Sequence, residues 1–354
     1  MLFQKPLIAL DIGSTSVKAC EISGSGSSRK LKNLGLELLP NGTIVNGDVA
    51  DQNTLVSAIR KLLNSLKIKT KGRRVAISLA GNSVLLKRMV ILASDGDDPG
   101  EQVFEEAKQQ FHHDMNDMHF RYHEIESAFT QPGEKAYLVA AGKIDTIEQY
   151  IDCVHKLGMK VAITDADVFC LMNMFEFAFP QQEAMSVIAN IGATSTQVIL
   201  TYAGEYLYSR EFSMGGINIT HRISQDMNID FENAEGLKIS ASTGDNAIAD
   251  KVRGSIDAEN TLICDEIKQS IDFFIQQENI QQLSNVNAVY LAGGGAGTLG
   301  LAGAVSSRVQ APVHMLNPFQ KIESSRSGID MDYLVSQGAL FGISAGLGIR
   351  KTPS

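Results

Sequence analysis

Within eight residues the stretch LDIGSTSVK sets Asp11, Gly13, Ser14, Thr15, Ser16 and Lys18 behind an apolar run. These residue types at this spacing suit phosphate chemistry. The backbone N–H groups of a tight glycine and hydroxyl turn point into a concavity that anionic oxygens can fill. Lys18 adds a point charge for the phosphates, and Asp11 can meet a magnesium ion through water, because Mg2+ keeps several waters and takes few direct protein ligands. Taken alone, the segment is equally an ordinary β-hairpin.

A second copy changes that balance. In VIANIGATSTQVILT, from Val187 to Thr201, Asn190 falls on Asp11, Ile191 on Ile12, Gly192 on Gly13, Thr194 on Thr15 and Ser195 on Ser16, each 179 residues later. A further pair, VAISLAG from Val75 and AVYLAGG from Ala288, repeats at 212 residues, so the second half holds 33 extra residues between its two motifs. Helical stripes precede both of these later strands: Leu55, Ile59, Leu62, Leu63 and Leu66 behind Asp51 as N-cap, and Ile267, Ile271, Phe274 and Ile275 in the segment from Cys264. The chain therefore reads as a duplicated α/β unit facing itself across a cleft, with two turns clamping a phosphate chain.

Composition agrees with that architecture. A length of 354 residues predicts about two domains, and 44% hydrophobic with 20% charged residues describes a soluble globular chain. Forty acidic against 31 basic side chains argue against a nucleic-acid surface and fit a cytosolic protein. Cys20, Cys153, Cys170 and Cys264 are widely spaced among apolar neighbours and read as buried free thiols. The N-terminus lacks a signal-peptide plan, and the apolar run Ala339–Ile349 is glycine-rich and too short to span a bilayer.

Rival chemistries are weaker. No G-x-x-x-x-G-K-[ST] occurs. Gly295, Gly297 and Gly300 form a G-x-G-x-x-G, but the next strand, VHML, ends in Asn317 where a dinucleotide site needs an acid for the ribose. His112, His113, His119 and His123 crowd Asp114 and Asp117, yet MHFRYHEI alternates like a strand, which sets His119 and His123 roughly 13 Å apart. Lys67, Lys69, Lys71, Arg73 and Arg74 read as a basic loop after a helix end, with lipid attraction the minor alternative. Met172, Met174, Met214 and Met227 read as core filler.

Five ordered motifs now carry a resemblance that runs from about Leu7 to Arg350. LDIGSTSVK resembles the first phosphate motif of the actin-like ATPases, NIGATSTQV the second and LAGGGAG the adenosine motif; REFSMGGINIT and AEGLK resemble the pattern shared by the cell-division protein FtsA and the pilus protein PilM. LPNGTIVNGDVAD and ITDADVFCLMNMFE look more like the type IV pilus assembly family PilM. The resemblance implies an actin-like, RNase H-like duplicated α/β fold, two lobes around a nucleotide cleft, with residues 1–82 and 163–184 in the first lobe. An extra subdomain of the FtsA and PilM type would span 83–162, the second lobe 185–225 and 264–350, and a small insertion 226–263.

The same resemblance implies ATP and Mg2+ as ligands. Asp11, as metal-facing carboxylate, would act with Gly13, Ser14, Thr15, Ser16 and Lys18 on one side of the phosphates, and Asn190, Gly192, Thr194 and Ser195 on the other. Gly215 and Gly216 would approach the phosphates, Glu235 and Lys238 would hold the adenosine from one helix face, and Gly293, Gly294 and Gly295 would lie against it. Asp167 is placed either to position an attacking water or to cap a helix. Asn190 departs from the family's aspartate and implies binding with at most weak hydrolysis.

The implied partner is the N-terminal cytoplasmic segment of PilN, held along strand edges between the first subdomain and the extra one. PilO and other pilus platform proteins follow indirectly, with self-association open, no nucleic acid, and a cytoplasmic place on the inner membrane face reached through partners. With the sequence ending at Ser354, a terminal amphipathic helix of the FtsA kind is not expected. An FtsA-like filament former and a small-molecule kinase of the same superfold are the alternatives.

Overall fold

The computed structural model of the chain describes residues 6–92, 99–111, 113–179, 183–278, 280–324 and 331–351, which leaves His112 outside the described residues. Two units divide it. The first holds the residues up to Met172, Glu205–Tyr208 and those from Ile343 onward; the second holds Asn173–Gly204 and Ser209–Gly342.

In the first unit β1 (Ile8–Ile12) turns back into β2 (Ser16–Ser23), followed by β3 (Lys30–Leu38), the short pair β4 (Ile44–Val45) and β5 (Asp48–Val49), α1 (Gln52–Ser65) and β6 (Arg74–Leu79). After an inserted piece the chain returns through α3 (Ile144–His155), β10 (Lys160–Ala166) and α4 (Asp167–Ala178), which from Asn173 belongs to the second unit. The strands lie in the order β10-β6-β1-β2-β3, with β1, β6 and β10 parallel. All five residues of β1 are buried, as a strand covered on both faces requires. Ile8, Leu10 and Ile12 meet Leu55, Ile59, Leu62 and Leu63 of α1 and Tyr150, Cys153 and Val154 of α3 in one core. Asp51 caps α1 as expected, accepting from the Thr54 N–H at 3.0 Å and the Thr54 hydroxyl at 2.7 Å.

The inserted piece comprises β7 (Val84–Leu92), α2 (Pro99–Phe111), β8 (Met118–Ile125) and β9 (Glu134–Lys143). Its sheet, in the order β7-β9-β8, closes a separate core of Met89, Val103, Ala107, Tyr137 and Val139, with Phe104 edge-on to Phe120 at 5.2 Å. Helix α3 falls inside the span 83–162 drawn from the sequence, but its apolar stripe packs into the first core, so the independent piece is Val84–Lys143.

The second unit repeats the plan with β11 (Met185–Ile191), β12 (Thr196–Tyr202) and β13 (Glu205–Phe212, of which Glu205–Tyr208 fall in the first unit), then α5 (Gly216–Met227), α6 (Phe231–Ser242), α7 (Asn246–Glu278), β14 (Val286–Ala292), α8 (Leu301–Val309), β15 (Val313–Met315), α9 (Met331–Gln337) and α10 (Gly342–Gly348), which from Ile343 belongs to the first unit. Its strands run β13-β12-β11-β14-β15. The helix expected from Cys264 is the second half of α7, 33 residues long, because Val252, Ile256 and Ile263 extend the buried stripe upstream. Among the described residues no helix is long and apolar enough to cross a membrane.

Candidate functional site

In the first unit the β1–β2 register sets Asp11 opposite Lys18, so both side chains leave the same face of the sheet. Lys18 Nζ stands 3.2 Å from Asp11 Oδ2, and Asp11 is only 4% exposed. The turn between them closes with the Gly13 N–H donating to the Ser16 carbonyl at 3.0 Å, while the Thr15 carbonyl accepts from Leu39 at 2.8 Å.

Two neighbours that sequence reasoning missed extend this polar row. Asp165 pairs with Ser78, and the pairing of Leu10 with Ile77 brings Ser78 beside Asp11, so Asp165, Ser78, Asp11 and Lys18 cross β10, β6, β1 and β2 in line. Ser78 Oγ is buried without a hydrogen-bond partner among the described residues. Arg350 Nε lies 2.9 Å from Asp165 Oδ2, though without hydrogen-bond alignment. Asp167 opens α4 as its first helical residue. The charges of Asp165, Asp167 and Asp11 all act on the buried thiol of Cys170, whose pKa burial, chiefly, pushes well above the ordinary range. The three carboxylates therefore share the surroundings of that thiol.

Burial pushes the Asp165 carboxyl above its ordinary range, with Arg350 pulling it back. A raised folded pKa means that the fold takes up the proton before the unfolded chain does. This group's contribution to stability therefore increases as pH falls from the raised value toward the ordinary carboxylate value, and at neutral pH it is a standing cost. Asp165→Asn is expected to raise the melting temperature at neutral pH and to flatten its slope across that window. Thermal unfolding in a pH series checks both effects.

In the second unit Asn190 stands opposite Gln197, the positions that match Asp11 and Lys18. Both charges of the first hairpin are amides here. Gln197 went unnoticed in the sequence because it shares no identity with Lys18, and only the register pairs them. The Gly192 N–H donates to the Ser195 carbonyl at 2.8 Å, repeating the first turn.

Helix α5 docks directly on this turn. The N–H groups of Gly216 and Ile217 donate to the carbonyls of Gly192 and Ala193 at 3.0 and 2.8 Å. A Cβ on Gly215 would sit 2.6 Å from the Gly192 oxygen and 2.7 Å from that of Ala193. Gly215 is therefore required by the approach of helix to turn, and the leading amides of α5 are taken by protein carbonyls.

Lys238 of α6 is fixed by three acceptors: Glu235 Oε2 at 2.6 Å, Thr220 Oγ1 at 2.8 Å and the Gly216 carbonyl at 3.0 Å. Thr220 also hydrogen-bonds Glu235. Glu235 and Lys238 thus share a helix face and are held against the opening of α5. At the end of β14, Gly293 adopts φ +86°, and the Gly295 N–H donates to the Ile191 carbonyl at 2.9 Å. A Cβ on Gly295 would come 2.4 Å from Ile191 Cγ2, whereas one on Gly294 would meet only Leu340 Cδ1 at 3.1 Å. The glycine run therefore seats on the second hairpin.

The histidine stretch forms β8, with His119 opposite Gly142 and His123 opposite Leu138. Among the described residues no three His, Cys, Asp or Glu side chains gather as a metal-binding group.

Two hairpins of one plan, each closing a glycine and hydroxyl turn at the end of a buried strand, define a protein of the actin-like ATPase fold. Solved structures agree. The chain shares 21% identity and a TM-score of 0.85 with a PilM-PilN type IV pilus biogenesis complex, covering 98% of this chain and 100% of that one. It shares 12% identity and a TM-score of 0.60 with the ethanolamine utilization protein EutJ from Carboxydothermus hydrogenoformans, over 98% and 90% of the two chains. With MreB5 of Spiroplasma citri bound to AMPPNP the values are 12% and 0.54, over 98% and 95%. The family profile of type IV pilus assembly protein PilM matches residues 9–352, and the chain belongs to that family.

Proposed function

We propose that this chain is an ATP-binding component of the type IV pilus assembly platform that binds the N-terminal segment of PilN and changes its grip with nucleotide. The observation that carries the nucleotide half is the buried Asp11–Lys18 pair beside a glycine and hydroxyl turn, matched in the second unit by a turn of the same build. Asp11 and Lys18 would serve the phosphates, with Gly13, Ser14 and Thr15, then Gly192, Thr194 and Ser195, supplying turn amides and hydroxyls. Glu235 and Lys238, pre-ordered by Thr220, would hold the adenosine beside Gly293, Gly294 and Gly295. The buried carboxylate of Asp11 fits a hydrated Mg2+, which would supply charge neutralisation on the phosphates.

The partner half is supported by family membership and by likeness to a PilM solved with PilN. In the inserted sheet β7 and β8 are edges, and an extended peptide can add along such a strand. PilO, self-association and a place beside the inner membrane would follow from the platform role.

Calorimetric titration of a PilN-type N-terminal peptide, with and without Mg-ATP, tests the reading. Saturable binding whose affinity differs between the two conditions is expected, and the ratio is the coupling itself. Absence of binding in both conditions overturns the partner assignment, and acceptor-dependent ADP release would favour a kinase. Because Asn190 and Gln197 leave the second turn uncharged, binding should exceed turnover. Asn190→Asp is expected to raise ATP hydrolysis at least several-fold in a phosphate-release assay, with Gly297→Ala as an unaffected control.

A further inference from the structure

The 43 residues 52–94 contain nine of the chain's 31 basic residues and none of its 40 acidic ones. In a protein of net charge −9 this is a marked local reversal. The fold gathers part of the run at one end of the first sheet. Past the end of α1 Lys67 takes φ +57°, and Ile68, 7% exposed, pins the following loop to the core. Either side of that anchor Lys67, Lys69 and Lys71 are exposed. The Gly72 N–H donates to the Gly158 carbonyl at 2.9 Å, the Lys160 N–H donates to the Arg73 carbonyl at 2.9 Å, and Arg74 pairs with Lys160. These contacts bring exposed Lys160 beside the lysine loop.

Among the described residues, Lys67, Lys69, Lys71 and Lys160 have no carboxylate within ion-pairing distance. Arg73 differs, being turned inward onto Glu21 at 2.6 Å. The starts of β6 and β10 carry the patch, whereas Asp11 lies at the far end of parallel β1. Four residues of strand, roughly 13 Å, separate Arg74 from the level of Ser78 and Asp11. Charge here therefore leaves the phosphate turn untouched.

We propose that this lysine end of the first unit docks on an anionic phospholipid surface. Flexible point charges, with no exposed aromatic ring among them to stack bases, match a diffuse headgroup layer better than a nucleic acid. With Ile68 buried the loop offers no apolar wedge, so attraction is purely electrostatic, weak alone and additive with any tether to a membrane-borne partner. The inference stands apart from the nucleotide and peptide readings.

Sedimentation of the full chain with vesicles, without nucleotide or peptide, tests it. Binding is expected to phosphatidylglycerol-rich vesicles at low salt, to fall with added salt, and to vanish on pure phosphatidylcholine. Lys67→Gln, Lys69→Gln and Lys71→Gln together should lower partitioning about a hundred-fold, near five-fold for each lysine, with unchanged melting. Lys87→Gln, Lys108→Gln and Lys251→Gln, equal in charge and exposed elsewhere, should leave most of it. Absence of vesicle binding at low salt, equal loss in both triple variants, or binding of a short RNA without vesicle binding would each overturn the proposal.

Discussion

Gly293→Ala should unfold the second hairpin's support and abolish nucleotide binding, whereas Gly297→Ala, four residues on in the same glycine run, should do neither. The difference is geometric. Gly293 holds φ +86°, and a Cβ there would lie 2.3 Å from the Ile191 carbonyl oxygen and 2.6 Å from Asn190 Oδ1. Backbone and side chain would both have to move, and the strand that moves carries the Gly192 turn. Gly297 has ordinary φ and nothing within 4 Å of its added Cβ. Left-handed strain alone costs about 1–2 kcal/mol, and the backbone clash should bring the total to at least about 3 kcal/mol. Gly297→Ala should stay within about 0.5 kcal/mol. Chemical denaturation gives the stabilities, and fluorescent-nucleotide titration of the folded variants gives the affinities. Equal behaviour of the two would mean that the run serves as a flexible loop and that its seating on Ile191 is incidental.

What the sequence disclosed depended on whether chemistry repeats along the chain. The two hairpins were legible because Gly13 and Gly192, Thr15 and Thr194, Ser16 and Ser195 keep both type and spacing, and both hairpins form with the same register. Gln197 was hidden because its kinship with Lys18 is one of position, not of type. Asp165 and Ser78 were hidden for another reason: parallel pairing joins strands far apart in sequence, and no local pattern names the partner. Helix α7 starts well before Cys264 because buried Val252, Ile256 and Ile263 carry its apolar stripe upstream, through a stretch with no repeated motif to mark it. Glycine was half legible. The run at 293–295 was visible, but which members are obligatory follows from what a Cβ would strike.

Arg88→Ala should cost about 3–5 kcal/mol, the range for stranding one member of a buried ion pair. Arg88 Nε meets Glu205 Oε1 at 2.7 Å with side-chain exposures of 10% and 8%. Its guanidinium also donates to Ser127 Oγ at 2.7 Å and lies 5.9 Å from the centre of the Phe129 ring, while Glu205 Oε2 accepts from the Ala128 N–H at 3.3 Å. Removing the arginine leaves a desolvated carboxylate with one long hydrogen bond. Removing both charges leaves none, so Arg88→Met with Glu205→Met should cost far less than the sum of the single changes. Such a cycle by urea denaturation separates two roles that one variant cannot. A large opposing coupling identifies the pair as a device that fixes how β7 and the residues Glu205–Tyr208 meet, since apolar replacements could hold them with equal stability but less register. Near-additive losses would instead make Arg88 a packing residue, its stem and its stacking on Phe129 mattering more than its charge. The pair joins β7 of the inserted sheet to the start of β13, both within the first unit. Charge is retained there despite the desolvation it entails, which is the pattern expected where the relative placement of two elements matters more than the stability of either.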